Sequence, residues 1–263
     1  MVAVRHRVTS PLLVSCLLLG ACGTGDVAAP PAPKTSPSTP ATTTTSAPPE
    51  RVVVLDPGHN GGSAAHLAEI NRLVPAGRGR TKPCNTTGTS TNAGYPEHAF
   101  TWDVAQRVGT ALGAKGIKVV YTRQDDSGAG PCVDQRAATG NDANADAVVS
   151  IHADGSNSAG AHGFHVAYSS PPLNDAQGEP AAKLARTMRN TLRDKGFSTA
   201  NYIGAEGLAP RDDLAGLNLS TRPAVLVECG NMRDATEAAA MTSADGRQRY
   251  ATAIAAAIEA YLG

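Results

Sequence analysis

The sequence predicts an α/β fold: one domain whose sheet is covered by helices on both faces. Three observations carry this. Short apolar runs with strand character recur at residues 51–55, 117–122, 146–152, 163–168 and 223–228. Helical stretches at 97–115, 133–143, 179–195 and 245–262 are interleaved with them. The 263-residue chain is 41% hydrophobic, and no Pro/Gly/Ser linker or internal repeat divides the part after residue 50. That is enough apolar material for one sizeable core.

Residues 1–22 have the form of an export signal. Arg5-His6-Arg7 is a charged start, and the apolar run from Pro11 to Gly20 is too short to span a bilayer. The run ends Leu18-Leu-Gly-Ala-Cys22, small residues before a cysteine, which resembles a bacterial lipobox. In that reading Cys22 is lipidated and attaches the mature chain to the outer face of the cytoplasmic membrane. Ordinary cleavage near the same place would release a secreted protein. Residues 23–50 are Ala, Pro, Thr and Ser with no apolar periodicity, and read as a disordered tether. A flexible coil of that length reaches about 30 Å.

Residues 51–263 form the expected folded domain. Arg51-Val-Val-Val-Leu55 is a β-branched strand broken by Asp56-Pro57-Gly58, and His59 follows. A long polar stretch rich in Gly, Thr and Asn runs to Tyr95. Loops of that length are usually functional or mobile. In the next helix Phe100, Val104, Val108 and Leu112 fall four apart behind Pro96. Leu184, Met188 and Leu192 mark one face of a later helix. Tyr250, Ile254, Ile258 and Leu262 mark one face of the last.

Formal net charge is +0, so nothing points to nucleic acid. Cys84 and Cys132 sit in polar, loop-like surroundings, and an oxidising compartment favours a disulfide between them. Cys229 lies in an apolar run and is expected to be a buried free thiol.

Three apolar strands lead to His59, His152 and Glu228, and Glu97 opens a helix. A lone His after a strand is more often structural than a ligand. Two His and a carboxylate are also the ligand set of an open catalytic zinc site. A further carboxylate would then act as acid and base. The spacings are long, and by themselves they leave both readings open.

Val54-Leu-Asp-Pro-Gly-His59-Asn-Gly61, Ser150-Ile-His152-Ala-Asp154 and Pro223-Ala-Val-Leu-Val-Glu228-Cys-Gly230 occur in that order. Together they resemble the zinc-dependent N-acetylmuramoyl-L-alanine amidases of the type 3 family, bacterial cell-wall hydrolases. The resemblance covers residues 51–263. It implies a twisted, mixed but mostly parallel sheet of about six strands. It implies Zn²⁺ held by His59, Glu97 and His152, with Glu228 as catalytic acid/base. The reaction it implies is hydrolysis of the amide between the lactyl group of N-acetylmuramic acid and L-Ala of the stem peptide. Peptidoglycan or its muropeptide fragments would be the partner of a monomer exported to the cell envelope.

Several residues depart from the family or compete for roles. The segment between His59 and Glu97 is long enough to narrow, cover or autoinhibit a cleft. His98 rivals Glu97 as a ligand. Asp154 stands where the family often has Asn, and the residue after Gly230 is not aromatic. Asp56 is expected to hold the other ring nitrogen of His59 or a turn amide. Arg123 and Arg136 are expected to be structural ion-pair donors, His165 a packed or surface residue, and the charged stretch 201–218 solvated. The competing functions are a zinc peptidase acting on stem peptides and a non-catalytic peptidoglycan-binding or regulatory domain.

Overall fold

In the computed structural model, residues 50–263 are described; the expected signal peptide, Cys22 and nearly all of the expected tether lie outside them. The described chain runs β1 (Val52–Pro57), α1 (Leu67–Ile70), β2 (Leu73–Pro75), β3 (Thr81–Pro83), α2 (Glu97–Gly113) and β4 (Lys118–Tyr121). It continues through α3 (Val133–Asp142), β5 (Ala147–Asp154), β6 (His165–Ser169), α4 (Glu179–Asp194), β7 (Leu208–Arg211) and α5 (Ala215–Asn218). β8 (Ala224–Asn231), α6 (Ala235–Thr242) and α7 (Ala244–Leu262) complete it. Six strands form one sheet in the order β4-β1-β5-β8-β6-β7. Neighbours are parallel except β6 and β8, which pair antiparallel. The mixed, mostly parallel α/β sheet is therefore the one expected.

The two faces of the sheet are unequally covered, and this places the site. Side chains alternate across a strand. Val53 and Leu55 of β1, Val149 and Ile151 of β5, and Val225 and Val227 of β8 point into the main core. Three long helices close that face. α2 contributes Phe100, Val104, Val108 and Leu112, α4 Leu184, Met188 and Leu192, and α7 Tyr250, Ile254 and Ile258. Each of these larger side chains contributes roughly 1.5–3 kcal/mol by leaving water. On the other face Val54, Val148, Ala167 and Ala224 pack with Leu217 of α5 in a smaller cluster. α3 lies over the same face and approaches closely at Gly140, where a Cβ would stand 2.7 Å from Val148. Alternation puts Asp56, Ser150, His152 and Glu228 on this thinly covered face.

Residues 60–95 are more ordered than their composition suggests. They contain α1 and an antiparallel β2–β3 hairpin. The Cys84 and Cys132 sulfurs lie at bonding distance, with Cα atoms 4.4 Å apart. Cys229 is free and buried in the main core. β5 and β8 run past His152 and Glu228, to Asp154 and Asn231, so those two residues lie inside strands rather than at their ends. The ladder shifts register between His152 and Asp154.

Candidate metal centre

Each candidate side chain is set by a local feature of the sequence. Pro57 closes β1, and Gly58 lets the chain pass close to the neighbouring strand. A Cβ on Gly58 would stand 2.2 Å from Cε1 of His152, so only glycine leaves room for that ring. His59 then adopts a left-handed backbone conformation, φ 59°. For a residue other than glycine this costs about 1–3 kcal/mol and persists only where surroundings enforce it. Glu97 is the first residue of α2, where the positive end of the helix favours a carboxylate. His152 projects from β5, and Glu228 lies directly beside it in the β5–β8 register.

The structure brings His59, Glu97 and His152 together. One donor atom from each lies within 4.8 Å of the others. The Glu97 carboxylate sits between the imidazoles, with Oε2 3.1 Å from His59 Nε2 and Oε1 3.0 Å from His152 Nδ1. The Ala153 amide also donates to Oε1 and the Thr89 amide to Oε2. His59 Nδ1 lies 2.9 Å from the Thr86 carbonyl oxygen. A proton held there leaves Nε2 free to bind a metal. Two imidazoles and one carboxylate, buried and convergent, fit a zinc ion with an open coordination position.

Charge in the cluster is strongly coupled. Burial would raise the pKa of Glu97, but the His59 and His152 rings outweigh it and pull the carboxyl below the ordinary range. Burial opposes a charged His59, yet Glu97 wins and raises its pKa. Glu228 has no such partner. Its burial, reinforced by Glu97 and Asp154, pushes its pKa well above that of an ordinary glutamate. Its Oε2 is buried with no hydrogen-bond partner. An unpaired buried carboxyl is costly to a fold and useful to a reaction that moves a proton.

Other expected residues fall elsewhere. Asp56 does not reach His59. Its carboxylate accepts from Arg136 Nη1 at 2.8 Å, Thr122 Oγ1 at 2.6 Å and Ser150 Oγ at 2.6 Å. Burial would raise its pKa; those partners hold it at about 2. The reason is alternation: Asp56 points across the sheet face toward α3, while His59 lies beyond the turn. Arg123 and Arg136 are buried ion-pair donors, as expected, to Asp126 and Asp56. They also donate to backbone carbonyls of the turn, both to Pro57 and Arg136 to His59 as well. His98 turns away to Asp126, 2.7 Å distant. His165 is packed rather than exposed, directly opposite Glu228 in the β6–β8 register. Burial lowers its pKa to about 4, so it is neutral. Within 201–218, Tyr202 is not simply solvated: its hydroxyl donates to Asp154.

The site opens on a cavity of about 380 Å³. Lys82, Pro83, Asn85, Thr86, Gly88 and Thr89 form one wall, so the long segment after His59 lines the cleft. Val148, Ala224 and Leu226 form an apolar floor along the sheet. Gly58→Ala is expected to displace the His152 ring, weakening the cluster's hold on a metal at an overpacking cost of about 1–3 kcal/mol. Metal titration and thermal unfolding of that variant check this.

Comparison with known proteins places this geometry among relatives. The family model described as N-acetylmuramoyl-L-alanine amidase matches residues 53–260. An N-acetylmuramoyl-L-alanine amidase of Mycobacterium tuberculosis is 51% identical over 211 residues, covering 80% of this chain and 86% of that protein. A crystal structure of an N-acetylmuramyl-L-alanine amidase from Mycobacterium smegmatis is 52% identical, with a TM-score of 0.78 over 81% of this chain and 97% of that one. A second, from Mycobacterium abscessus, is 54% identical, also with a TM-score of 0.78, over 81% and 99% of the two chains.

Proposed function

The chain belongs to the N-acetylmuramoyl-L-alanine amidase family of peptidoglycan hydrolases, and on that premise we propose that its working centre is a zinc ion held by His59, Glu97 and His152, with Glu228 as acid and base. The observation that carries this reading is the convergence of those three donors beside a buried, unpaired carboxyl on the adjacent strand. The scissile bond is the amide between the lactyl group of N-acetylmuramic acid and L-Ala.

Zinc, when bound, lowers the pKa of water toward about 7 and polarises a carbonyl. This chain's residues do the rest. His59 and Glu97 are fixed by the Thr86 carbonyl and the Thr89 and Ala153 amides, so their donor atoms are aimed before any ligand arrives. Glu228 receives the proton of the attacking water at its carboxylate and delivers it to the amide nitrogen as the C–N bond breaks. Its pKa, raised by burial and by the Glu97 and Asp154 carboxylates, favours holding the proton between the two steps. The Glu228 carboxyl also weighs against a silent binding domain, which has no need of an orphaned buried acid.

In this reading residues 51–263 are the catalytic domain, and the Cys84–Cys132 disulfide forms after export. Residues 23–50 are a tether, and Cys22 carries a lipid that holds the monomeric enzyme at the envelope. The small residues before Cys22 support the last point.

Metal analysis tests the centre. The purified chain is expected to carry about one zinc. A chelator should abolish peptidoglycan hydrolysis, and added zinc should restore it. Full activity after complete metal removal would defeat the proposal.

A further inference from the structure

We propose that the Cys84–Cys132 bond is a positioning device for the metal centre, tying together the two segments that hold His59 in place. The inference rests on the metal reading above and adds a role for the covalent bond.

His59 needs external support, because its left-handed backbone is unfavourable for a side chain with a Cβ. The support comes from two directions. On one side, Arg136 Nη2 donates to the His59 carbonyl at 2.8 Å and Nη1 donates to the Pro57 carbonyl at 2.7 Å. The same guanidinium donates through Nε to the Pro131 carbonyl, next to Cys132. On the other side, the Thr86 carbonyl, two residues after Cys84, meets His59 Nδ1. Thr89, a little further on, donates its amide to the Glu97 carboxylate.

These two supports belong to different parts of the chain. Arg136 is carried by α3, whose N-cap is Cys132. Residues 85–89 carry no regular secondary structure, and the Thr86 and Thr87 side chains are exposed. The strap lies against the ligands all the same. A Cβ on Gly88 would be 2.9 Å from both the His59 ring and Glu97 Oε2. The start of the strap is pinned by the covalent bond and by the Val133 amide, which donates to the Cys84 carbonyl at 2.8 Å. The bond therefore closes a ring around His59: strap, cysteine pair, α3, Arg136 and back to the His59 carbonyl. Opening the ring leaves the start of the strap held only by backbone hydrogen bonds, from the Cys84 and Asn85 amides to the Arg72 and Ile70 carbonyls and from the Val133 amide to the Cys84 carbonyl. It so loosens the groups that aim His59 and Glu97. Groups that orient metal ligands are typically worth 10–100-fold in metal affinity.

The test is zinc affinity, measured by competition with a fluorescent chelator on the full domain. The oxidised wild type, the same protein reduced with a phosphine, and Cys84→Ser/Cys132→Ser are compared, with circular dichroism confirming the fold of each. Arg136→Lys, which keeps the charge facing Asp56 but loses the fork, is a fourth sample. Zinc dissociation constants about tenfold higher or more in all three altered samples are expected. Equal affinity in the folded, reduced protein would overturn the inference, leaving the bond as a staple for the hairpin region alone. So would outright unfolding on reduction, which assigns the bond to fold stability. Failure of the oxidised wild type to bind zinc would instead remove the metal reading, and this inference with it.

Discussion

Replacing Glu228 with Gln should lower turnover by about 10²–10⁴-fold, the usual worth of a general acid–base group, while fold and zinc content stay unchanged. Gln fills the same space and cannot carry the proton. The Glu228 Oε2 is buried and meets no donor. The native acid has no hydrogen bond at Oε2 for the amide to lose, so thermal stability should hold or rise. Steady-state kinetics on peptidoglycan, with metal analysis of the same sample, check this. Retained turnover would remove Glu228 from its role. Lost zinc would mean that Glu228 helps to hold the metal.

The largest effect on stability should come from Asp56→Asn, which leaves the Arg136 guanidinium charged and buried without its counter-charge. Breaking a buried pair in this way costs about 3–5 kcal/mol. The pH dependence gives a second signature. The Asp56 carboxyl is held at about 2 in the fold, against an ordinary 3.8. Its contribution is therefore fully present above the ordinary value and is lost as pH falls from there toward 2. Folding of the wild type should weaken across that window by about 2 kcal/mol from this group. The Asn variant, already destabilised, should lack that component of the slope. Urea unfolding at several pH values between neutrality and acid measures both. Parallel acid profiles for the two proteins would show that Asp56 is not the titrating group.

Much of the fold was legible because its long elements repeat a simple pattern. Phe100, Val104, Val108 and Leu112 fall on one helical face, and the Ala224–Val227 run reads as a buried strand. β7 was not visible in this way. It is a four-residue edge strand containing Pro210, and its composition reads as loop. α6 is built largely of alanine and has no apolar stripe. Asp234, three residues before Glu237, was the signal available there: its side chain caps the helix by accepting from the Thr236 and Glu237 amides. The β2–β3 hairpin lies in a polar stretch where no alternation marks a buried face.

The site divides along the same line. His59, Glu97, His152 and Glu228 stood out in the sequence as titratable side chains after apolar runs or at a helix start, and the resemblance of the three motifs to a known family gave them their roles. What holds them could not. The Thr86 carbonyl and the Thr89 and Ala153 amides are backbone groups that any residue supplies. Asp56 is three residues from His59 in sequence yet holds neither its ring nor a turn amide. The pleat carries Asp56 to Arg136, 80 residues away.

Mass spectrometry of peptidoglycan digested with the zinc-loaded enzyme tests the proposed reaction most directly. Intact glycan strands and free stem peptides beginning with L-Ala are expected. Fragments cut within the stem peptide would contradict that reaction in favour of a peptidase. Unchanged peptidoglycan, with zinc bound, would leave a binding domain.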